Sequence, residues 1–143
     1  MKEVILIIPA YNEEKNIALV VDELIENYPE LDYVVIDDGS ADDTRKICEA
    51  KGYNMISLAV NLGLAGAFQT GMRYAYERGY LYAVQFDGDN QHSAEYVELM
   101  KEEINRGADI VIASRFLEKK KPLTLRMLGS RLIALAIRLT TGV

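Results

Sequence analysis

The 143-residue sequence has one cysteine, one histidine, three prolines and no tryptophan. A lone Cys48 excludes an internal disulfide, and with only His92 beside it there is no Cys/His set to hold structural zinc. On these grounds the chain reads as reduced and cytoplasmic. Basic residues are the minority: sixteen Lys and Arg against twenty-two Asp and Glu leave −6, which argues against a broad nucleic-acid surface. Long apolar runs are lacking as well. Val4–Ala10 is short, follows Glu3 and has no cleavage signature, so it reads as a strand and not a signal peptide. Leu125–Val143 is rich in Leu, Ile and Ala but is interrupted by Arg126, Arg131 and Arg138, whereas a membrane span needs roughly 20 mostly uncharged residues. Such a helix suits peripheral contact with a membrane surface.

What is present is ordinary for one globular domain: 50% hydrophobic and 27% charged residues. The charge is unevenly spread. Residues 1–114 hold nine basic and twenty-one acidic side chains, while residues 115–143 hold seven basic and one acidic. A basic end on an acidic body points to an anionic partner there, such as a phosphate or a membrane surface.

Short apolar runs alternate with helix-period segments. Val4–Ile8, Tyr33–Ile36, Asn54–Leu58, Ala83–Phe86 and Asp109–Ala113 have the composition of strands buried on both faces. Ile17, Val20, Val21, Leu24 and Tyr28 repeat at helical spacing, and Pro29 ends that helix. Further helices are expected over Asp42–Lys51, Ala65–Arg78 and Ala94–Asn105, the second with a close-packing face of Ala67, Gly71 and Ala75. Alternating strands and helices predict a single α/β domain with a parallel sheet, mixed at most at one edge, joined by right-handed crossovers.

Ligands of open parallel sheets bind outside the carboxyl ends of the strands. The segments that follow the strands are therefore the informative ones: Pro9-Ala10-Tyr11-Asn12-Glu13-Glu14, Asp37-Asp38-Gly39-Ser40, Asn61-Leu62-Gly63, Asp87-Gly88-Asp89-Asn90-Gln91-His92 and Ser114-Arg115. No G-x-G-x-x-G follows the first strand, which disfavours a dinucleotide site. Asp87 and Asp89, one residue apart in a turn after an apolar strand, suit Mg²⁺ or Mn²⁺ shared with substrate phosphates. Two rivals are weaker. An EF-hand reading puts His92 where the sharp-turn glycine belongs, and an aspartyl-phosphatase reading places the pair too late in the chain.

In this order and spacing, Ile8-Pro9-Ala10-Tyr11-Asn12-Glu13-Glu14, Val35-Ile36-Asp37-Asp38-Gly39-Ser40 with Asp42 and Thr44, Asn61-Leu62-Gly63, and Asp87-Gly88-Asp89 with Gln91-His92 resemble a family 2 glycosyltransferase of the GT-A fold. The closest resemblance is to dolichyl-phosphate mannose synthases and bacterial polyprenyl-phosphate glycosyltransferases. It implies a nucleotide-sugar site made by Pro9, Tyr11, Glu13, Ile36, Asp38, Asp87, Gly88, Asp89 and Arg115, with Asp87, Asp89 and Gln91 at the metal. It also implies metal-dependent, inverting transfer of a sugar from a UDP- or GDP-sugar to a polyprenyl phosphate. A polyprenyl phosphate is already an anion and needs no general base, so His92 reads as a turn residue. The alternative is a non-catalytic nucleotide-sugar-binding or interaction module.

Similar enzymes continue beyond the Thr-Gly at Thr141-Gly142 into an acceptor-facing region. Residues 1–122 are accordingly expected to form the donor-binding domain. Residues 123–143 are expected to form a basic amphipathic helix that begins the acceptor region, with an apolar stripe suited to a bilayer or to a second copy of the chain.

Overall fold

A computed structural model of the chain describes residues 3–86 and 94–113, together with Ile133 and Arg138. The first strand, β1 (Val4–Ala10), carries the run Val-Ile-Leu-Ile-Ile, and Ile5, Leu6, Ile7 and Ile8 expose no surface. It is followed by α1 (Ile17–Asn27), β2 (Asp32–Asp37), α2 (Thr44–Lys51), β3 (Met55–Ser57), α3 (Gly63–Glu77) and β4 (Tyr82–Gln85). A single 3-10 turn over Ala94–Tyr96 then leads into α4 (Val97–Asn105). The described strands form one sheet in the order β3-β2-β1-β4, and every pairing is parallel. Register places Ile8 opposite Val35 on one side of β1 and Leu6 opposite Val84 on the other. The α/β architecture expected from the alternating pattern is thus present.

Alternation along β1 divides the core into two layers. Leu6 and Ile8 pack with Ile17, Val20, Val21 and Leu24 of α1 and with Cys48 of α2. Ile5 and Ile7 pack with Val34, Ile36 and the small residues Ala67 and Ala75 of α3. Fully burying a branched aliphatic side chain contributes about 1.5–3 kcal/mol, so β1 alone is a large share of the driving force. The helix ends follow from local chemistry. Tyr28 N–H reaches Leu24 C=O just before Pro29, and Gly52 at φ +69° closes α2 in the left-handed conformation that glycine tolerates. Helix α3 starts at Gly63, where Asn61 Oδ1 accepts the Gly63 N–H at 3.0 Å, two residues ahead of the expected start.

The chain divides into two compact units, residues 1–98 and 99–143. In the first, Ala94 and Val97 are buried with the α1-side layer. In the second, the remainder of α4 ends with Arg106 paired to Glu102 and Glu103. Asp109–Ala113, expected as a fifth strand, has no strand structure, and Ile110 and Ile112 are 79% and 83% exposed. Apolar alternation predicts which face of a strand is dry, but a strand also needs a ladder partner, and periodicity does not supply one. Asp87–Ser93, Ser114, Arg115 and the 123–143 segment apart from Ile133 and Arg138 lie outside the described residues.

Two outcomes follow from this packing. A Cβ on Gly71 would penetrate the Ile7 side chain, so Gly71→Ala should lower unfolding free energy by about 1–3 kcal/mol in urea titrations. Burial pushes the Cys48 thiol up to about 11. The native chain should therefore resist alkylation at pH 8 and react promptly once unfolded.

Candidate functional site

The chain runs from β1 through β2 to β3 on one side and then crosses to β4 on the other, so the carboxyl edge near β1 is where the strand order reverses. A cleft of about 150 Å³ lies there, within the first unit, lined by Pro9, Ala10, Tyr11, Glu13, Asp38, Leu64 and Ala67. Four residues singled out in the sequence, Pro9, Tyr11, Glu13 and Asp38, are brought together. Ile36 is not at the surface of the cleft; it has no exposed area and packs in the α3-side layer with Ala67, behind the lining. Asp87, Gly88, Asp89, Gln91 and Arg115 lie outside the described residues. Among the described residues no three His, Cys, Asp or Glu side chains group as a metal site.

Leu64 and Ala67 also line the cleft, and no sequence motif singles them out as site residues. Their signal was the glycine-bearing turn after the third strand, which delivers the first turns of α3 to the carboxyl edge. Leu64 is 59% exposed and Tyr11 50%, giving the cleft two apolar walls that meet solvent.

The adjacent carboxylates of β2 and its loop have different jobs. Both are almost fully buried. Asp37 spends both oxygens on the protein: Oδ1 accepts the Ser40 N–H at 3.1 Å and Oδ2 the Ser57 hydroxyl at 2.7 Å. Asp38 Oδ1 accepts the Leu62 N–H at 2.7 Å, while Oδ2 takes no donor from the described residues. No buried side-chain oxygen among the described residues lacks a partner, so this oxygen keeps some accessible surface, and beside the cleft it can accept a ligand N–H or O–H. Gly39 follows at φ +70°, and a Cβ there would sit 2.9 Å from Asn61 N and Val60 C. Only glycine lets the β2 and β3 loops pass this closely.

The loop after β1 is sewn to the loop after β2. Asn12, at φ +58°, donates its N–H to Ser40 Oγ at 3.0 Å, and its Oδ1 accepts the Ala41 N–H at 2.9 Å. Glu13 N–H donates to Thr44 Oγ1 at 2.8 Å, and Glu14 N–H to Asp42 Oδ2 at 3.1 Å. Asp42 Oδ1 in turn accepts the Thr44 hydroxyl at 2.5 Å and the Thr44 N–H at 3.0 Å. Desolvation raises the Asp42 carboxyl, but the hydrogen bonds from the Thr44 hydroxyl, Thr44 N–H and Glu14 N–H outweigh it and hold it below the ordinary value of 3.8.

The sequence profile of the family described as Glycosyl transferase family 2 matches residues 5–138. The undecaprenyl-phosphate mannosyltransferase of Micrococcus luteus is 36% identical over 117 residues, which cover 78% of this chain and 48% of that protein. The UDP-N-acetylglucosamine–dolichyl-phosphate N-acetylglucosaminyltransferase of Methanococcus voltae is 36% identical over 138 residues, 84% of this chain and 55% of that one. Among solved structures, glucosyl-3-phosphoglycerate synthase of Mycobacterium tuberculosis in complex with Mn²⁺ and UDP-glucose aligns with a TM-score of 0.57 and 25% identity. That alignment covers 74% of this chain and 40% of the synthase. The chain spans about half the length of the curated relatives it matches.

The lowered Asp42 carboxyl makes the loop junction acid-sensitive in a defined direction. Its contribution is complete above the ordinary value of 3.8 and is lost as pH falls through the lower native value. Amide exchange at Glu14 and Thr44 should accelerate across that window, and Asp42→Ala should remove this step from the acid profile. A variant with the wild-type acid response would show that Asp42 carries none of it.

Proposed function

This chain belongs to glycosyl transferase family 2, and from that premise we propose that it carries the nucleotide-sugar half of a transferase acting on a polyprenyl phosphate. The observation that carries the reading is the Asp38 carboxylate, buried at the cleft with Oδ1 held by Leu62 N–H and Oδ2 left for a ligand. A ring N–H of uracil or guanine is a donor of the right kind for that oxygen. Tyr11 and Leu64 offer the flat and apolar surface that a base or ribose needs, with Pro9 and Ala67 beneath. Ile36 supports this floor from the core side.

We assign the ribose, diphosphate and sugar to Asp87, Gly88, Asp89 and Arg115. Asp87, Asp89 and Gln91 would hold Mg²⁺ or Mn²⁺, which when bound supplies positive charge against the growing negative charge of the leaving diphosphate. Arg115 adds a planar, permanently charged donor to the same oxygens. The polyprenyl phosphate oxygen attacks the anomeric carbon, the bond to the nucleoside diphosphate breaks, and the configuration inverts. No proton has to leave this nucleophile, so no general base is assigned. The named activities of the Micrococcus and Methanococcus relatives support a polyprenyl phosphate acceptor, and the Mn²⁺–UDP-glucose complex of the structural relative supports the donor and the cation. Among the described residues no helix is long and apolar enough to cross a membrane. We assign access to the lipid phosphate to peripheral contact through residues 123–143, whose arginines suit anionic headgroups.

Binding to the native state raises stability by mass action, about 2.7 kcal/mol at a hundredfold excess over Kd. UDP or GDP should raise the melting temperature more with Mn²⁺ than with a chelator, and Asp89→Asn should remove the metal-dependent part. Asp38→Asn keeps an oxygen for the Leu62 N–H but meets the ligand donor with a weaker or wrongly paired group, so it should weaken nucleotide binding by about 1–3 kcal/mol without unfolding the chain. If neither nucleotide shifts the transition in Mn²⁺, the donor reading is wrong. If Asp38→Asn binds as wild type does, Asp38 is only a turn residue.

A further inference from the structure

We propose that Thr44, acting together with Asp42, is a positioning residue that sets the donor cleft by locking the loop after β1 onto the start of α2. Thr44 has no exposed surface and does not line the cleft, so it cannot touch a ligand. Its hydroxyl nevertheless sits at the crossing of two chains: it accepts the Glu13 N–H at 2.8 Å and donates to Asp42 Oδ1 at 2.5 Å. Asp42 Oδ2 then takes the next amide of the same loop, Glu14 N–H, at 3.1 Å. Consecutive amides of one loop are thereby bound to a hydroxyl and a carboxylate of the other.

What this junction holds is an unfavourable backbone. Asn12 has the left-handed φ of +58°, which is uncommon for a non-glycine residue although asparagine tolerates it best, and the surrounding hydrogen bonds fix it there. The turn at Asn12 lies between Tyr11 and Glu13, and both of those side chains line the cleft. Asn12 is braced on its outer side by Ser40 Oγ and the Ala41 N–H, both in exposed settings where a hydrogen bond exchanges readily with water. The Thr44 bond is the part-buried one, because Thr44 itself is sealed under the loop. Losing its hydroxyl would leave the Glu13 N–H without a partner and Asp42 Oδ1 with the Thr44 N–H alone, and would free the Asn12 turn to relax toward φ < 0. Tyr11 and Glu13 would then lose their common orientation, although every cleft side chain is still present. The same junction ties the Tyr11–Glu13 wall to the loop that carries Asp38, so the opposing sides of the cleft keep a fixed separation.

This inference rests on the donor-cleft reading, and the test separates the two. Wild type, Thr44→Val and Thr44→Ser are compared by UDP and GDP affinity in Mn²⁺ and, without nucleotide, by amide exchange at Glu13. Valine matches the shape of threonine without its hydroxyl, and serine restores the hydroxyl. Thr44→Val should bind nucleotide about tenfold more weakly and exchange Glu13 faster, and Thr44→Ser should recover both. Asp42→Ala cuts the same junction from its solvent side, serves if the valine variant does not fold, and should shift both readouts the same way. Wild-type binding with unchanged affinity in a folded Thr44→Val or in Asp42→Ala overturns the positioning role alone. Weakened binding that serine does not recover also overturns it, since the hydroxyl would not be the cause. Failure of the wild type itself to bind either nucleotide overturns the donor reading and the positioning role with it, whatever the exchange rates show.

Discussion

From Ile5 to Ile8, β1 meets water on neither face, and its alternating side chains bind α1 and α2 to one side of the sheet and α3 to the other. That double burial ranks above any polar contact in the molecule, because a branched aliphatic strand enclosed on both sides leaves its neighbours little freedom of register. A slip by one residue would exchange the Leu6–Ile8 layer with the Ile5–Ile7 layer and press Ile7 out of the space that Gly71 leaves for it. With β1 pinned, β2 pairs so that Ala10 stands opposite Asp37, and the loops after both strands start at the same height. The cleft exists because these loops begin level and α3 delivers Leu64 and Ala67 beside them.

Above the sheet, polar chemistry takes over from apolar burial. The carboxyl edge concentrates Glu13, Glu14, Asp37, Asp38, Asp42 and Asp43, an arrangement that would repel itself if the carboxylates were unpaired. Glu14, Asp38 and Asp42 accept backbone amides of a neighbouring loop and Asp37 accepts one of its own, which lets negative charge stabilise the junctions it would otherwise push apart. The hydrogen bonds in solvent add little net energy individually. Their effect is geometric: they fix where Tyr11, Glu13 and Asp38 stand relative to one another. Asp37 and Asp38 show how one residue step divides the roles, since alternate side chains of an extended segment point to different surroundings. Asp37 is consumed by Ser40 and Ser57, and Asp38 keeps an oxygen for the cleft.

Family membership and this geometry bear on different halves of the function. The match over residues 5–138 establishes the family, while the chain spans about half of its curated relatives. The cleft itself is formed by the end of β1, the loops after β1 and β2, and the start of α3. Transfer needs an acceptor as well, and the named activities of the Micrococcus and Methanococcus relatives are the support for proposing a polyprenyl phosphate.

The amino-acid pattern by itself determined the parallel α/β class, the α1 stripe of Ile17, Val20, Val21 and Leu24, and the small-residue face of α3, because periodic burial writes itself into residue spacing. It also marked the segments that follow β1 and β2, since loops after parallel strands collect on one edge whatever their detailed shape, and the family resemblance singled out Pro9, Tyr11, Glu13 and Asp38 within them. Tertiary structure alone decided that Ile36 stands in the core instead of lining the cleft, that Leu64 and Ala67 line it, and that Asp109–Ala113 does not form a strand. It alone paired Thr44 with Glu13, thirty-one positions apart. The physical reason is the same in each case. Burial periodicity is a local property of the chain, but a hydrogen-bond partner, a cleft wall or a ladder neighbour is supplied by a distant segment, and only folding brings that segment near.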